Sequence, residues 1–348
     1  MGPRHVVSAW GKILLGRTPT LSIEITRECP LRCPGCYAYG DEHLGGGVTL
    51  RDVSDFRGQA LVDGILSLVD RHRPLHVSLV GGEPLVRFRE LDRVLPLLAA
   101  RGVHTQVVTS AVRPLPLGWR DIPRLNISVS VDGLPAEHDV RRAPATYDRI
   151  LKHIEGHTVT IHCTVTRQQV QRDGYLAEFI DFWSARPSVK RIWMSLYTPQ
   201  VGEESAERLR HEDRDRAVAE LLTLRRRYPK LDIPESAIRA YARPPENPES
   251  CIFARVTKTV SADLTSAVTP CQFGGRPDCA SCGCMASAAL AAVGHHRLLG
   301  LVPVSAVFDA SLRVGAAVNR LRRPQGASAP ARPVVDRAVG PVSPAPET

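Results

Sequence analysis

Residues Leu125-Asn126-Ile127-Ser128-Val129-Ser130-Val131-Asp132 alternate apolar and polar side chains without a break. Successive side chains of a strand point to opposite faces, so one face here is apolar and the other carries an amide, two hydroxyls and a carboxylate. The next strand pattern repeats this: Val159, Ile161, Cys163 and Val165 oppose Thr158, Thr160, His162, Thr164 and Thr166. Near the start of the chain, Leu21, Ile23 and Ile25 oppose Ser22, Glu24 and Thr26. Strand patterns fall at 20–26, 75–80, 103–109, 124–131, 157–166 and 189–197. Helical patterns lie between and after them, among them Tyr147, Ile150, Leu151 and Ile154, then Ala217, Leu221 and Leu224. Six βα units in series argue for a parallel sheet. Parallel strands covered on both faces read as nearly continuous apolar runs, and a closed eight-stranded barrel fills its interior with branched apolar side chains. These strands do neither. The expected fold is α/β, a partial (β/α)6 TIM-like barrel over 20–228 whose concave face holds a polar ligand; the alternative is an open sheet with one solvated face.

Composition sets the outer bounds. The chain has 348 residues, 43% hydrophobic and 23% charged, enough for a sizeable core and for one large α/β unit with a smaller appendage. No apolar run approaches the roughly 20 residues that cross a bilayer, and the N-terminal stretch is too polar for a signal peptide. The chain therefore reads as cytoplasmic, without stable membrane insertion. Net charge is +9, yet Arg313, Arg320, Arg322, Arg323, Arg332 and Arg337 crowd the C-terminal end against Asp336 and Glu347. With 5% aromatic residues and no basic stripe, nucleic acid is not an expected partner. Arg225, Arg226 and Arg227 end a predicted helix before Pro229, where the helix dipole favours them. The remaining segments read as a lead-in over 1–19, a proline-rich connector over 229–250, a cysteine-rich region with helices over 251–320, and a disordered proline-rich tail over 321–348.

Nine cysteines carry more information than the charge. Cys163 sits alone in a strand pattern and reads as a small buried hydrophobe. The others form two groups, Cys29, Cys33 and Cys36, then Cys251, Cys271, Cys279, Cys282 and Cys284, which in such a chain favour metal or redox chemistry over disulfides. The first group follows the first strand, at the rim where α/β barrels place active sites. Three thiolates are one short of the four that saturate an iron–sulfur cube or a structural zinc. One reading is a zinc knob completed by His43. Against it stands Gly81-Gly82-Glu83-Pro84, directly after the second strand and so on the same rim, where paired glycines expose backbone groups to a ligand.

The C-x3-C-x2-C loop, the GGEP tetrapeptide and Ser128–Gly133 at the end of the fourth strand together resemble the radical SAM superfamily, over about residues 18–228. The resemblance implies a [4Fe-4S] cluster on Cys29, Cys33 and Cys36, with its fourth iron open to S-adenosylmethionine. Reductive cleavage would then give a 5'-deoxyadenosyl radical that abstracts a substrate hydrogen. By position, Gly81, Gly82 and Glu83 would receive the methionine amino group, Ser130 and Asp132 the ribose, and Arg141 the carboxylate; as strand-end polar residues the last three are equally read without a ligand. An electron donor such as flavodoxin or ferredoxin is also implied. Gly35 departs from the family, which usually has an aromatic residue before the third cysteine.

The second group, C-x19-C-x7-C-x2-C-x1-C, has Ser261-Ala262-Asp263-Leu264 placed as a hairpin turn between its first two members. It resembles the SPASM and twitch extensions of radical SAM enzymes, which implies one auxiliary iron–sulfur cluster; structural zinc is the alternative, and five cysteines leave one more than four ligands require. The leading reading is a radical SAM enzyme acting on a peptide or a small polar metabolite. Adenosyl addition or related chemistry on a lipid precursor, and a zinc-stabilised binding module without catalysis, are the other two. Alternation places His162, Thr164, Ser195 and Tyr197 on the substrate cavity, and no residue is assigned to catalysis itself.

Overall fold

The computed structural model describes residues 3–298 and 301–322. Its strands are β1 (Thr20–Glu24), β2 (His76–Val80), β3 (His104–Thr109), β4 (Leu125–Ser130), β5 (Val159–Val165), β6 (Val189–Leu196), β7 (Thr257–Val260), β8 (Ala267–Val268) and a small hairpin of β9 (Arg297–Leu298) and β10 (Val302–Pro303). The first six stand where the alternation puts them. Among the helices, α1 (Pro3–Leu14), α2 (Gly58–His72), α3 (Phe88–Ala100), α4 (Pro135–Arg141), α5 (Tyr147–His153), α6 (Arg167–Gln171), α7 (Tyr175–Ser184) and α8 (His211–Arg227) lie before or between the strands and after β6. They are followed by α9 (Glu235–Ala240), α10 (Ile252–Val256), α11 (Met285–His295) and α12 (Val304–Arg322).

Strand order is β6-β5-β4-β3-β2-β1-β7-β8, with β1 to β7 parallel and β8 antiparallel to β7. From β1 to β6 consecutive strands are neighbours, as short βα connections favour, and β7 returns to the other side of β1. The sheet ends on β6 and β8 and so forms a partial barrel. Its outer face supplies the core: Ile23, Leu79, Val107, Ile127, Ile161 and Ile192 meet Leu61 and Ile65 of α2, Leu91 and Leu98 of α3, and Phe179 and Trp183 of α7. Each such side chain contributes roughly 1.5–3 kcal/mol on burial. Register aligns the inner face into polar rows, with Ser22 beside Ser78, Ser78 beside Gln106, and Gln106 beside Asn126. Nearer the C-terminal rim, Ser130 stands beside His162 and Thr164 beside Ser195. Cys163 is buried in the outer core as a hydrophobe.

Three expectations need correction or bounding. The cysteine-rich region is not a separate appendage, because β7 joins the main sheet beside β1 and the Ser261–Leu264 turn leads into β8. The connector is no loose linker: α9 lies within it, burying Ile238 against the core, and Leu231 bridges to Ile192 of β6. The lead-in forms α1, which packs on α12, and of the tail only residues 321 and 322 are described, as the end of α12.

Trp183 is fully buried, and its indole N–H donates to Tyr147 Oη at 3.0 Å. Tyr147 in turn donates to Gly133 O at 2.5 Å, fixing the turn after β4. Trp183→Ala is expected to cost about 3–5 kcal/mol in urea unfolding, with most of the loss arising from the cavity.

Candidate functional site

The turn that leaves β1 is held before the first cysteine begins. Asp55 Oδ2 accepts from Thr26 Oγ1 at 2.8 Å, from the Arg27 amide at 3.2 Å and from Arg87 at 2.8 Å, while Arg87 also reaches Glu28 at 3.0 Å. The GGEP segment then lies directly on this turn. The Gly82 amide donates to Thr26 O and the Glu83 amide to Glu28 O, each at 2.8 Å. A Cβ at Gly82 would collide with the Glu28 carbonyl, and Gly81, at φ +122°, lies against Thr26 O. The glycines therefore serve a close backbone approach, and the Gly82 and Glu83 amides are spent inside the protein rather than offered to a ligand. The Glu83 carboxylate is enclosed too, accepting from the Leu85 amide at 2.9 Å, the Ser110 amide at 2.7 Å and the Thr109 hydroxyl. Burial pushes its pKa up, and these donors oppose the rise.

On that base Cys29, Cys33 and Cys36 stand half-buried on one loop. Cys33 and Cys36 line an open cavity of about 610 Å³ with Arg32, Gly35, Tyr39 and Arg51. Burial raises all three thiols, Cys29 to about 11; Arg142 and Arg141 oppose the rise at Cys33. Thiols in this state ionise when a cationic centre binds them. His43 is not among them. Its Nε2 lies 2.8 Å from Glu24 Oε1 and its Nδ1 3.3 Å from Phe273 O, so the zinc knob loses its fourth ligand. Among the described residues no three His, Cys, Asp or Glu side chains are gathered as around a single ion.

Asp132, at the end of β4, lies behind this loop, with Arg142 Nε at 2.7 Å and Arg141 Nε at 3.2 Å from its Oδ2. Despite burial, which pushes it up, Arg142 and Arg141 hold its carboxyl well below the usual range. Arg141 also donates to Pro34 O at 3.0 Å and to Glu207, whose second carboxylate oxygen is buried without a partner. Ser130 is buried beside His162 in register. Arg142 and Glu207 have no motif around them to mark them in the sequence.

The four cavity residues come together unequally. His162 is half-buried, its Nε2 2.8 Å from Ser195 Oγ. Burial lowers its pKa to about 4, so the imidazole is neutral near pH 7. Ser195 Oγ also accepts the Met285 amide at 3.3 Å and lies under the start of α11. The Thr164 amide points to Asp132 Oδ1 at 3.4 Å. Tyr197 is buried; its hydroxyl donates to Glu203 and sits where a Cβ at Gly35 would come within 2.7 Å.

All five C-terminal cysteines line one enclosed cavity of about 20 Å³, with Phe253, Phe273 and Ser287. Burial raises the thiols of Cys271, Cys279, Cys282 and Cys284, Cys271 to about 12 and Cys279 to about 11, and neighbouring thiols add to it. The cavity is small, so the geometry keeps all five as possible ligands. Arg214 of α8, unmarked in the sequence, braces the module by donating to Ser281 O at 2.6 Å, Tyr241 O at 2.9 Å and Cys282 O at 3.0 Å. The module docks on the end of β6 through Gly283, whose carbonyl accepts the Leu196 amide at 2.9 Å and where any Cβ would strike the Leu196 carbonyl.

The fold is of the α/β class, a parallel partial barrel with three thiols at the rim after its first strand. Residues 23–165 match the model of the radical SAM superfamily, so this part of the chain is a radical SAM domain. The match indicates an enzyme, and that superfamily uses a [4Fe-4S] cluster and S-adenosylmethionine. A "probable GTP 3',8-cyclase" of Methanocella arvoryzae is 26% identical over 152 residues, 43% of this chain and 45% of that protein. Streptococcus suis SuiB bound to S-adenosylmethionine is similar at 18% identity and TM-score 0.46, over 64% of this chain and 49% of SuiB. The anSMEcpe structure with bound AdoMet is similar at 15% identity and TM-score 0.45, over 59% of this chain and 60% of that one. The chain thus spans about half the length of the relatives it matches first. Among the described residues no helix is long and apolar enough to cross a membrane.

Because Asp132 is depressed, its contribution to stability is complete above the unfolded carboxyl value near 3.9 and is lost as pH falls from there through the folded value. Asp132→Asn is expected to lower stability at pH 7 by roughly 3 kcal/mol, since two guanidinium groups lose their carboxylate. Acid unfolding of the variant should lack the part of the wild-type loss that this carboxyl carries, which paired pH titrations of melting temperature will read.

Proposed function

We propose that the chain reductively cleaves S-adenosylmethionine and uses the resulting radical to abstract hydrogen from a peptide or a small polar metabolite. The observation that carries this reading is the trio of half-buried thiols of Cys29, Cys33 and Cys36, the last two lining an open cavity, on the loop that the GGEP segment clamps. Three donors are one short of the four that saturate a four-iron cluster, which leaves one iron open, and Cys33 and Cys36 line a space that a cofactor can enter. When bound, the reduced cluster supplies the electron that splits the sulfonium, giving methionine and a 5'-deoxyadenosyl radical. The protein's share is placement. With the Gly82 and Glu83 amides and the Glu83 carboxylate engaged internally, the GGEP segment offers backbone carbonyls to the cofactor's ammonium group. Ser130 and Asp132 remain the ribose candidates. Arg141 reaches a cofactor carboxylate by giving up its bond to Pro34 O or to Glu207. The neutral His162, turned to the polar inner face and tied to Ser195, orients the substrate without acting as an acid. The five C-terminal thiols, in one closed cavity, hold a second cluster. An external one-electron donor of the flavodoxin or ferredoxin class completes the cycle.

Anaerobically reconstituted protein is expected to bind about eight iron, as two four-iron clusters. The triple change Cys29→Ala, Cys33→Ala and Cys36→Ala should retain about half of that iron and lose all 5'-deoxyadenosine formation, and a cluster-loaded wild type that forms none on reduction would refute the reading. For His162→Ala, expected outcomes are unchanged iron and unchanged uncoupled cofactor cleavage, with substrate turnover reduced by about 100-fold through misplacement. Parallel loss of melting temperature and of every activity would assign His162 to the core instead.

A further inference from the structure

The loops that carry the two cysteine groups touch. Tyr37 directly follows Cys36, and its ring meets that of Phe273, two residues beyond Cys271, edge-on at 5.3 Å between centroids and 81° between planes. The backbone locks this contact. Gly274, at φ +63°, lies so close to the His43 carbonyl that any Cβ would collide with it, and the Gly275 amide donates to the same carbonyl at 3.3 Å. Glu24 fastens both sides from below, holding His43 of the first loop at 2.8 Å and Ser261 of the β7–β8 turn at 2.7 Å. Phe273 packs in the small core beside Cys251, Cys282 and Cys284.

We propose that the Tyr37–Phe273 ring pair is the route by which single electrons pass between the two cysteine-held sites. The proposal rests on reading both as iron–sulfur clusters. One electron leaves the reduced cluster at one end and arrives on the oxidised cluster at the other. The rings act as the intervening medium and are themselves neither oxidised nor reduced, so no bond is made or broken and no proton moves. The electron comes from an external one-electron donor of the flavodoxin or ferredoxin class. Tyr37 and Phe273 are thus positioning residues for electron transfer and touch no substrate.

The test uses the cluster-loaded full chain, photoreduced by a deazaflavin flash that delivers less than one electron per protein, with freeze-quenched electron paramagnetic resonance following the two cluster signals. S-adenosylmethionine, which perturbs the cluster with the open iron, identifies which signal is which. Wild type is expected to show a fast redistribution between the signals. Tyr37→Leu and Phe273→Leu, which keep apolar bulk, should each lose that fast phase while retaining iron content and melting temperature, and Tyr37→Phe should keep it. A fast phase unchanged in both leucine variants overturns the proposal, as does its equal loss in Tyr37→Phe, which would move the electron through the hydroxyl. If the Cys29, Cys33 and Cys36 triple alanine variant holds no iron, the failure belongs to the second cluster rather than to the route.

Discussion

One buried carboxylate holds the working end of this molecule together. Glu24 projects from the inner face of β1, where alternation demands a polar residue, and its two oxygens face His43 and Ser261. Those partners belong to the loop carrying the first three cysteines and to the hairpin that leads to the other five. Burial opposes protonation of His43, yet Glu24 and the backbone carbonyls of Phe273 and Tyr37 hold its pKa above the ordinary value. A charged pair in such a place repays its desolvation only when the remaining hydrogen bonds are made, as they are here. That stabilisation is fully present below the unfolded histidine value and is lost as pH rises through the folded one.

The barrel was legible because its signal is local. Period-two alternation of the kind seen at 125–132 needs no knowledge of distant residues, and all six expected strands formed with their apolar faces outward. β7 was illegible for the opposite reason. Thr257–Val260 is four residues with a lysine inside, and its place in the main sheet comes from pairing with Thr20–Ile23, more than two hundred residues earlier. The connector misled because prolines were read as breaks, while Pro234 in fact starts α9.

At the site, the two cysteine groups were legible by spacing, and their separate gathering into one rim and one closed cavity follows from it. Roles that depend on who is nearby were not. The GGEP glycines looked like open backbone and turned out to be pressed against Thr26 and Glu28. Arg142 and Arg214 are two arginines among many, and their partners, a strand-end carboxylate and the carbonyls of a distant loop, carry no sequence mark. Tyr197 obeyed the alternation rule, but that its hydroxyl meets Glu203 and fills the space that Gly35 leaves carries no mark in the sequence.

The position of β7 also sets an order of events during synthesis. The first cysteine loop and β1 are made early, whereas Ser261, which seals Glu24 from the other side, lies 237 residues further along. At ribosomal speeds of about 5–20 residues per second, that interval is roughly ten to fifty seconds. For that time the three thiols of the early loop stand without the Phe273–Gly275 segment that later covers their neighbours, and a nascent chain is open to metal delivery. Glu24 is satisfied from both sides only once Ser261 and β7 arrive beside β1, so the early loop waits for a partner from the far end of the chain.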